Sequence, residues 1–386
     1  MSDRGPSASA LAGLLSGYVE RSEVPGLVAL VSRHGELQTH VLGRLAAEGP
    51  QPMRRDTIFR ITSMTKPVVA AAAMILVDEG KLGLDQSVEP LLPELANRRV
   101  LTRIDGPLDE TVPALRPITV EDVLSSRMGF GVPMARPDSY PIQRAASALD
   151  LKLGEPKPRT SLGVDAWMRA LGSLPLMHQP GERWMYNTAS DVLGVLISRA
   201  AGQPLERFLR ERLFEPLGMK DTSFCVPPAK RDRFASCYQA DAKTGALVLR
   251  DGVADSPWCE EPTFPEGRGG LVSTADDYLA FGRLLLDDGL HAGKSILSAR
   301  STALLTTDHL TPAQASSTGF LPKGAGWGFG LAVSPAGWFG WDGGYGTTWR
   351  SDRKRGLVGI LLTQRTRYPR PSGIEDAFWS TIYDEA

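Results

Sequence analysis

The chain has 386 residues, enough to bury a large core, and its 42% hydrophobic and 23% charged residues are ordinary for a soluble globular protein. Its 43 Lys and Arg residues balance 44 Asp and Glu residues, which argues against a nucleic-acid or anionic-membrane partner. The three cysteines are odd in number and lack metal-ligand spacing, which argues against a disulfide framework and fits a reducing compartment.

The first six residues contain one basic side chain, and no apolar run of sufficient length for a signal peptide follows them. The sequence also has no run of about eighteen apolar residues that would indicate a membrane span. We therefore expect a soluble, cytoplasmic protein.

The first part of the chain predicts a helix followed by strands. Residues 8 to 19 have the apolar spacing of an amphipathic helix. Residues 25 to 33 and 37 to 42 are β-rich and flank the turn residues His34 and Gly35, which predicts an antiparallel hairpin. A short strand at residues 58 to 61 then leads to Ser63.

Residues 61 to 70 carry a chemical pattern: Lys66 follows Ser63 by three positions, and an apolar helix pattern continues toward a stop at Gly80. Because residues i and i+3 share a helical face, Ser63 Oγ and Lys66 Nζ can converge. If Ser63 caps the helix, its hydroxyl also lies at the positive end of the helix dipole. Lys66 can act as a base only if burial or a nearby cation lowers its pKa from about 10.4. Alone, the pattern is more typical of a capping serine followed by a surface lysine.

Residues 81 to 264 predict a mainly helical insertion, in which helical segments alternate with long, proline-containing loops. Thr119, with Asp122 three positions later, predicts a capping box. Further helices are expected at 141–150, 163–172, 190–201 and 204–214.

The β character returns in the last part of the chain. Ser273 or Thr274 can cap an amphipathic helix that runs toward Gly289. Strand-like runs separated by glycine-rich turns follow, and the last helix is expected at 373–384. We predict a mixed α/β (α+β) fold with a central antiparallel sheet, built from both termini and flanked by helices. The predicted domains are a discontinuous sheet domain, 1–80 with 265–386, and a mainly helical domain, 81–264.

Two further patterns accompany Ser63-x-x-Lys66. Tyr186 lies in the segment 180–190 ahead of a predicted helix, and residues 340–347 are glycine-rich between two strand-like runs. In this order the three patterns resemble the serine β-lactamase and penicillin-binding-protein superfamily, and within it class C β-lactamases and family VIII carboxylesterases. The resemblance spans roughly residues 10 to 365 and implies a β-lactamase/transpeptidase-like fold.

The resemblance implies a role for each matching residue. Ser63 would be the acylated nucleophile, Lys66 its general-base partner, and Tyr186 the tyrosine that shares proton traffic with both. The oxyanion hole would consist of the backbone N–H groups of Ser63 and Gly344. Because Gly343 and Gly344 lack Cβ atoms, a substrate carbonyl could approach the backbone closely.

Two departures from the family pattern bear on the substrate. The family's β-lactamases and peptidases have Lys-Thr-Gly or His-Thr-Gly where this chain has Trp341, Asp342 and Gly343. Tryptophan offers one N–H donor without charge, and Asp342, which we expect to be solvated, would repel a substrate carboxylate if it faced the site. Thr188 replaces an asparagine that β-lactamases use on the substrate side chain. Both changes favour a neutral ester, although Arg350 could replace the missing cation. We predict that Thr188, Trp341, Asp342 and Gly343 contact the substrate.

We therefore expect a serine hydrolase that cleaves small-molecule carboxylic esters through an acyl-enzyme on Ser63, without a metal or cofactor. The alternatives are a β-lactamase or D-Ala-type peptidase acting on a lactam or amide, an acyltransferase using the same acyl-enzyme, and a catalytically silent binding module. The sequence has no Gly-x-Ser-x-Gly elbow, and none of its histidines lies in a recognisable triad context. It has no His-Glu-x-x-His pattern.

Overall fold

The computed structural model describes residues 8–316 and 319–384. Its central feature is an antiparallel sheet of seven strands that combines both ends of the chain, as predicted. The strands from one edge to the other are Gly326–Trp327, Ala332–Val333, Trp338–Gly343, Thr347–Asp352, Leu357–Thr363, Gly26–Arg33 and Glu36–Gly43. The predicted N-terminal hairpin is thus confirmed, and its first strand pairs with the last strand of the chain, with Leu30 opposite Ile360.

Helices cover the sheet and fill the middle of the chain. The longer ones are Ala8–Glu20, Thr65–Asp78, Val164–Ser173, Thr188–Ala201, Ala275–Leu286 and Ile374–Asp384. The shorter ones are Val120–Leu124, Pro141–Ala148, Leu205–Leu209, Glu215–Leu217, Ala299–Leu305 and Pro312–Ser316. In the part of the chain that the structure describes, no helix combines the length and the apolar character needed to cross a bilayer.

Both faces of the central sheet are buried, because successive side chains of a strand point to opposite faces. Leu27 and Val31 pack against the two terminal helices. Val28 and Leu30 point the other way, into the main apolar core. That core also contains side chains of the helices between residues 81 and 264, and the division into two domains stays a proposal.

Several local signals that the sequence predicts are present. Thr119 accepts a hydrogen bond from the Asp122 N–H while the Asp122 side chain accepts from the Thr119 N–H, which completes the capping box. Thr274 caps the helix Ala275–Leu286. Gly80 follows the helix Thr65–Asp78 with a φ of +69°, a conformation that glycine adopts at little cost.

Candidate active site

Ser63 lies in a 3-10 turn, Thr62–Met64, directly before the helix Thr65–Asp78. The residue flanking that helix is Met64, so the conditional prediction that Ser63 caps the helix is wrong. Ser63 is half-buried, whereas the residues on either side of it in the turn are buried. Its hydroxyl is therefore available to the site, near the positive end of the helix dipole.

Long-range hydrogen bonds hold this nucleophile turn (residues 62–64) in place. The Ile61 N–H donates to the Leu271 carbonyl at 3.1 Å, and the Thr347 hydroxyl donates to the Ile61 carbonyl at 3.2 Å. The Tyr278 hydroxyl donates to the Met64 carbonyl at 2.8 Å. The turn is thus fastened to elements that follow it by about two hundred residues or more in the chain.

Strand Trp338–Gly343 packs directly on the nucleophile turn at Gly343. A Cβ at this position would lie 2.3 Å from the Ile61 carbonyl oxygen and 2.7 Å from Thr62 Oγ1. Gly343 is therefore needed for close packing, and it does not line the pocket described below. Thr62 has a φ of +42°, which is strained for a β-branched residue.

Lys66 is buried at the base of the site, with 1% of its surface exposed. Its Nζ lies 3.1 Å from Ser63 Oγ and donates to the Arg268 carbonyl at 2.6 Å. Burial, the largest influence, lowers the pKa of Lys66 well below its usual value, and the Arg268 guanidinium adds to this, whereas Asp191 and Glu266 oppose it. The pKa of Lys66 is thus shifted in the direction that a lysine base requires.

Tyr186 completes the buried floor of the site. Lys66 Nζ lies 4.3 Å from the centre of its ring, and the Trp341 indole N–H donates to its hydroxyl at 2.8 Å. Burial raises the pKa of the phenol, although hydrogen bonds with Ser63 and Trp341 oppose this. Burial thus favours the neutral forms of both Lys66 and Tyr186, which suits an amine that accepts a proton and a phenol that donates one.

A buried group of charges lies behind Lys66. The Arg268 guanidinium pairs with Glu266 at 2.5 Å and lies 3.5 Å from Asp191. Asp191 also accepts the Arg268 backbone N–H at 3.0 Å. Burial raises the pKa of Asp191 to about 7. Arg268 is held tightly, and so is the carbonyl that receives the Lys66 amine.

Ser63 and Tyr186 face a cavity of about 270 Å³, and Lys66 is buried behind them. Residues 153–157, here called the pocket wall, contribute Gly154, Glu155 and Pro156 to its lining. Five aromatic side chains also line the cavity: Tyr186, Phe320, Trp341, Tyr345 and Tyr368.

Every charged side chain that lines this cavity among the described residues has a partner of opposite charge. The sequence predicts a solvated Asp342, and the structure differs. Asp342 lies 3.0 Å from the Arg367 guanidinium and accepts a hydrogen bond from the Thr348 hydroxyl. The ion pairs are Glu155–Arg250, Arg268–Glu266 and Asp342–Arg367. The lining therefore presents little net charge to a ligand.

The structure brings Ser63, Lys66, Tyr186, Trp341, Asp342 and Gly344 to one site. It does not bring Thr188 to the cavity, because this residue is buried in the first turn of its helix. Arg350 does not supply a cation there either, since its guanidinium lies over the rings of Trp338 and Trp379 at 4.3 and 4.5 Å.

Among the cavity residues that sequence reasoning missed, Asn187, Arg268 and Arg367 carry polar side chains. Asn187 follows Tyr186 directly, and Arg268 precedes the Gly269-Gly270 pair, so proximity to these motifs could have pointed to both. Arg367 follows the last strand and reaches the site only through the tertiary fold, so no local pattern identifies it.

Comparisons with known proteins extend the resemblance over almost the whole chain. The family model described as Beta-lactamase matches residues 11–378. Protein Rv1367c of Mycobacterium tuberculosis is 41% identical over 372 residues, which cover 92% of this chain and 86% of the relative. Esterase EstB of Burkholderia gladioli is 32% identical over 399 residues, covering 96% of this chain and 93% of the relative.

A solved structure described as EstCE1, a hydrolase with promiscuous acyltransferase activity, superposes with a TM-score of 0.80 at 26% identity. The match covers 97% of this chain and 98% of that chain. Together with the sheet order and the flanking helices, it confirms the predicted fold class.

Proposed function

This chain belongs to the Beta-lactamase family, and from that premise we propose that it is a serine hydrolase that cleaves small-molecule carboxylic esters. The observation that carries the proposal is the contact between Ser63 Oγ and Nζ of the buried Lys66, at 3.1 Å. A lysine whose pKa is lowered by burial can take a proton from a serine hydroxyl, which an exposed, charged lysine cannot do.

In the proposed acylation step, Lys66 accepts the Ser63 proton as Ser63 Oγ attacks the ester carbonyl carbon. The C–O bond to the alcohol then breaks, and the Tyr186 phenol donates its proton to the departing oxygen. The pKa directions support this division, because burial favours an unprotonated lysine and a protonated phenol before the reaction begins. In the second half of the reaction, water attacks the acyl carbon and gives a proton to the Tyr186 phenolate. The C–O bond to Ser63 then breaks as Lys66 returns its proton to Ser63 Oγ, which releases the carboxylic acid.

We propose that the backbone N–H groups of Ser63 and Gly344 stabilise the oxyanion formed in each step. Both residues line the cavity. A Cβ placed on Gly344 would meet nothing within 4 Å, so a substrate carbonyl has room to approach the backbone here. Gly343, by contrast, is packed against the nucleophile turn.

The paired charges support a neutral ester as the substrate. A β-lactam of the penicillin type carries a carboxylate, which needs a cation or several free donors. The Arg367 guanidinium is already paired with Asp342 and with Glu375, and the Trp341 N–H donates to Tyr186. Placing a second anion beside Asp342 would be unfavourable.

Incubation with p-nitrophenyl butyrate and with nitrocefin tests this choice. We expect release of p-nitrophenol and little hydrolysis of nitrocefin, with ester turnover abolished in Ser63→Ala. Efficient nitrocefin turnover with negligible ester cleavage would overturn the assignment in favour of a β-lactamase.

Acyl transfer to an alcohol is a second candidate, favoured by a larger adjoining cavity of about 830 Å³. This cavity shares Glu155, Pro156 and Tyr345 with the substrate cavity, so an alcohol could approach the substrate cavity from it. Product analysis with added alcohols tests it. Formation of a new ester supports transfer, and formation of the free acid alone supports hydrolysis.

We also propose a cytoplasmic location. Cys225, Cys237 and Cys259 carry free thiols, which fits a compartment where disulfides are uncommon. Cell fractionation followed by detection of the protein tests the location, and recovery outside the cytoplasm would contradict it.

A further inference from the structure

We infer that Asn187 is a positioning residue that ties the pocket wall (residues 153–157) to Tyr186 and thereby sets the size of ester that the pocket accepts. The inference deepens the proposed ester hydrolysis and rests on it for the selectivity. It concerns a residue that the motif pattern does not single out, since the family position with a known substrate contact is occupied here by Thr188.

The backbone of Asn187 is strained. Its φ of +76° and ψ of −70° are those of a γ-turn with positive φ, and the Thr188 N–H donates to the Tyr186 carbonyl at 3.2 Å, as that turn requires. Conformations of this kind are unfavourable and persist only where surrounding contacts hold them. The same Tyr186 carbonyl accepts the Val132 N–H at 2.9 Å. The conformation of Asn187 therefore bears directly on the position of Tyr186.

The side chain of Asn187 supplies the contacts that hold this turn. Its amide nitrogen donates to the carbonyl oxygens of Leu153 and Gly154, each at 2.9 Å. Both amide hydrogens are used, and only 7% of the residue is exposed. Neither carbonyl belongs to a helix or strand, so these two hydrogen bonds take the place of regular secondary structure at this end of the pocket wall.

The other end of the pocket wall is linked to Lys66 through two intervening residues. The Lys157 N–H donates to the Glu266 carboxylate at 2.8 Å, and Glu266 pairs with Arg268, whose carbonyl receives Lys66 Nζ. The wall is thus held at one end beside Tyr186 and at the other through the group beside Lys66. Because Gly154, Glu155 and Pro156 line the cavity between these points, the wall can limit the space for the substrate only while both ends are held.

Two substitutions at Asn187 distinguish the effect of its backbone conformation from the effect of its side-chain hydrogen bonds. Asn187→Gly accepts the positive φ without strain but removes both amide hydrogen bonds. Asn187→Asp keeps the shape and places a carboxylate against two carbonyl oxygens. Asn97→Gly is the matched control, because Asn97 also has a positive φ, of +51°, but is exposed and does not line the cavity.

The first readout is hydrogen exchange of peptides covering residues 150–157, which does not depend on activity. We expect exchange there to become about tenfold faster in both Asn187 variants and to be unchanged in Asn97→Gly. Exchange within twofold of the wild type in both Asn187 variants would show that Asn187 does not hold the pocket wall. If Asn187→Asp does not fold, Asn187→Gly decides.

The second readout is the ratio of kcat/KM for p-nitrophenyl octanoate to that for p-nitrophenyl acetate. We expect the ratio to rise about fivefold or more in the Asn187 variants, because a released wall leaves more room for a long acyl chain. An unchanged ratio, with both esters slowed equally, would overturn the role in selectivity. A wild type that hydrolyses neither ester would instead contradict the proposed function. Hydrogen exchange would still show whether Asn187 holds the pocket wall.

Discussion

The floor and the wall of the pocket are held by different means. The floor consists of Ser63, Lys66 and Tyr186. Hydroxyl groups of distant residues donate to backbone carbonyls in and beside the nucleophile turn, and the lysine lies within a buried helix. The pocket wall, 153–157, is a loop segment held by Asn187 at one end and Glu266 at the other. The floor must keep reacting atoms at fixed distances, whereas the wall has only to limit space. Changes in the floor should therefore reduce chemistry, and changes in the wall should alter selectivity.

The largest effect is expected when the amine is removed from the floor. Lys66→Met should lower kcat about a thousandfold, because the other group hydrogen-bonded to Ser63, the Tyr186 phenol, is kept in its protonated form by burial and is a poor proton acceptor. The proposed mechanism requires Lys66 without its proton, so kcat/KM of the wild type should rise with pH through the lowered pKa of Lys66 and then level off. Steady-state kinetics across pH measure both effects.

The exposed Lys294→Met serves as the control for this substitution. A wild-type profile that rises only near the pKa of an unburied lysine, about 10.4, would contradict the role of burial. Retention of more than about a tenth of the activity in Lys66→Met would contradict its role as the base.

A smaller effect is expected when a hydrogen bond to the floor is removed. Trp341→Phe keeps an aromatic ring in the cavity but deletes the N–H that donates to the Tyr186 hydroxyl. Losing this buried hydrogen bond should cost about 1–2 kcal/mol, or roughly tenfold in kcat. Trp338→Phe on the same strand is the matched control, because Trp338 does not line the cavity. Equal loss in the two variants would show that the hydrogen bond is unimportant.

The smallest effect is expected at Asp342, which lines the cavity without contacting the reacting groups. Asp342→Asn removes one partner of Arg367, which keeps Glu375. Because Glu375 still pairs with Arg367, the free energy of unfolding should fall by no more than about 2 kcal/mol and kcat by no more than about threefold. Urea unfolding and ester kinetics measure the two quantities. A loss approaching that of Lys66→Met would place Asp342 in the chemistry.

The sequence could predict the parts of the site that depend on neighbouring residues. Ser63 and Lys66 are three residues apart, and a four-residue pattern carries their relation because a helical turn brings them together. Tyr186 could be identified from the order of the three motifs along the chain. The hairpin, the capping box at Thr119 and the stop at Gly80 were predictable because each depends on neighbouring residues.

The remainder depends on contacts between distant segments. Gly343 was expected to admit a substrate, but its missing Cβ makes room for the Ile61 carbonyl, 282 positions earlier in the chain. Arg350 was a plausible cation until the fold stacked it between two tryptophans. Only the fold places the Arg367 guanidinium beside Asp342.

Acylation of Ser63 is the step on which the proposed hydrolysis depends, and the mass of the intact protein during ester turnover reports it. Rapid acid quenching of the reaction with p-nitrophenyl butyrate should yield protein heavier by one butyryl group. Peptide mapping should place that group on Ser63, and Ser63→Ala should carry none. Turnover without any adduct, or an adduct on another residue that persists in Ser63→Ala, would contradict the account.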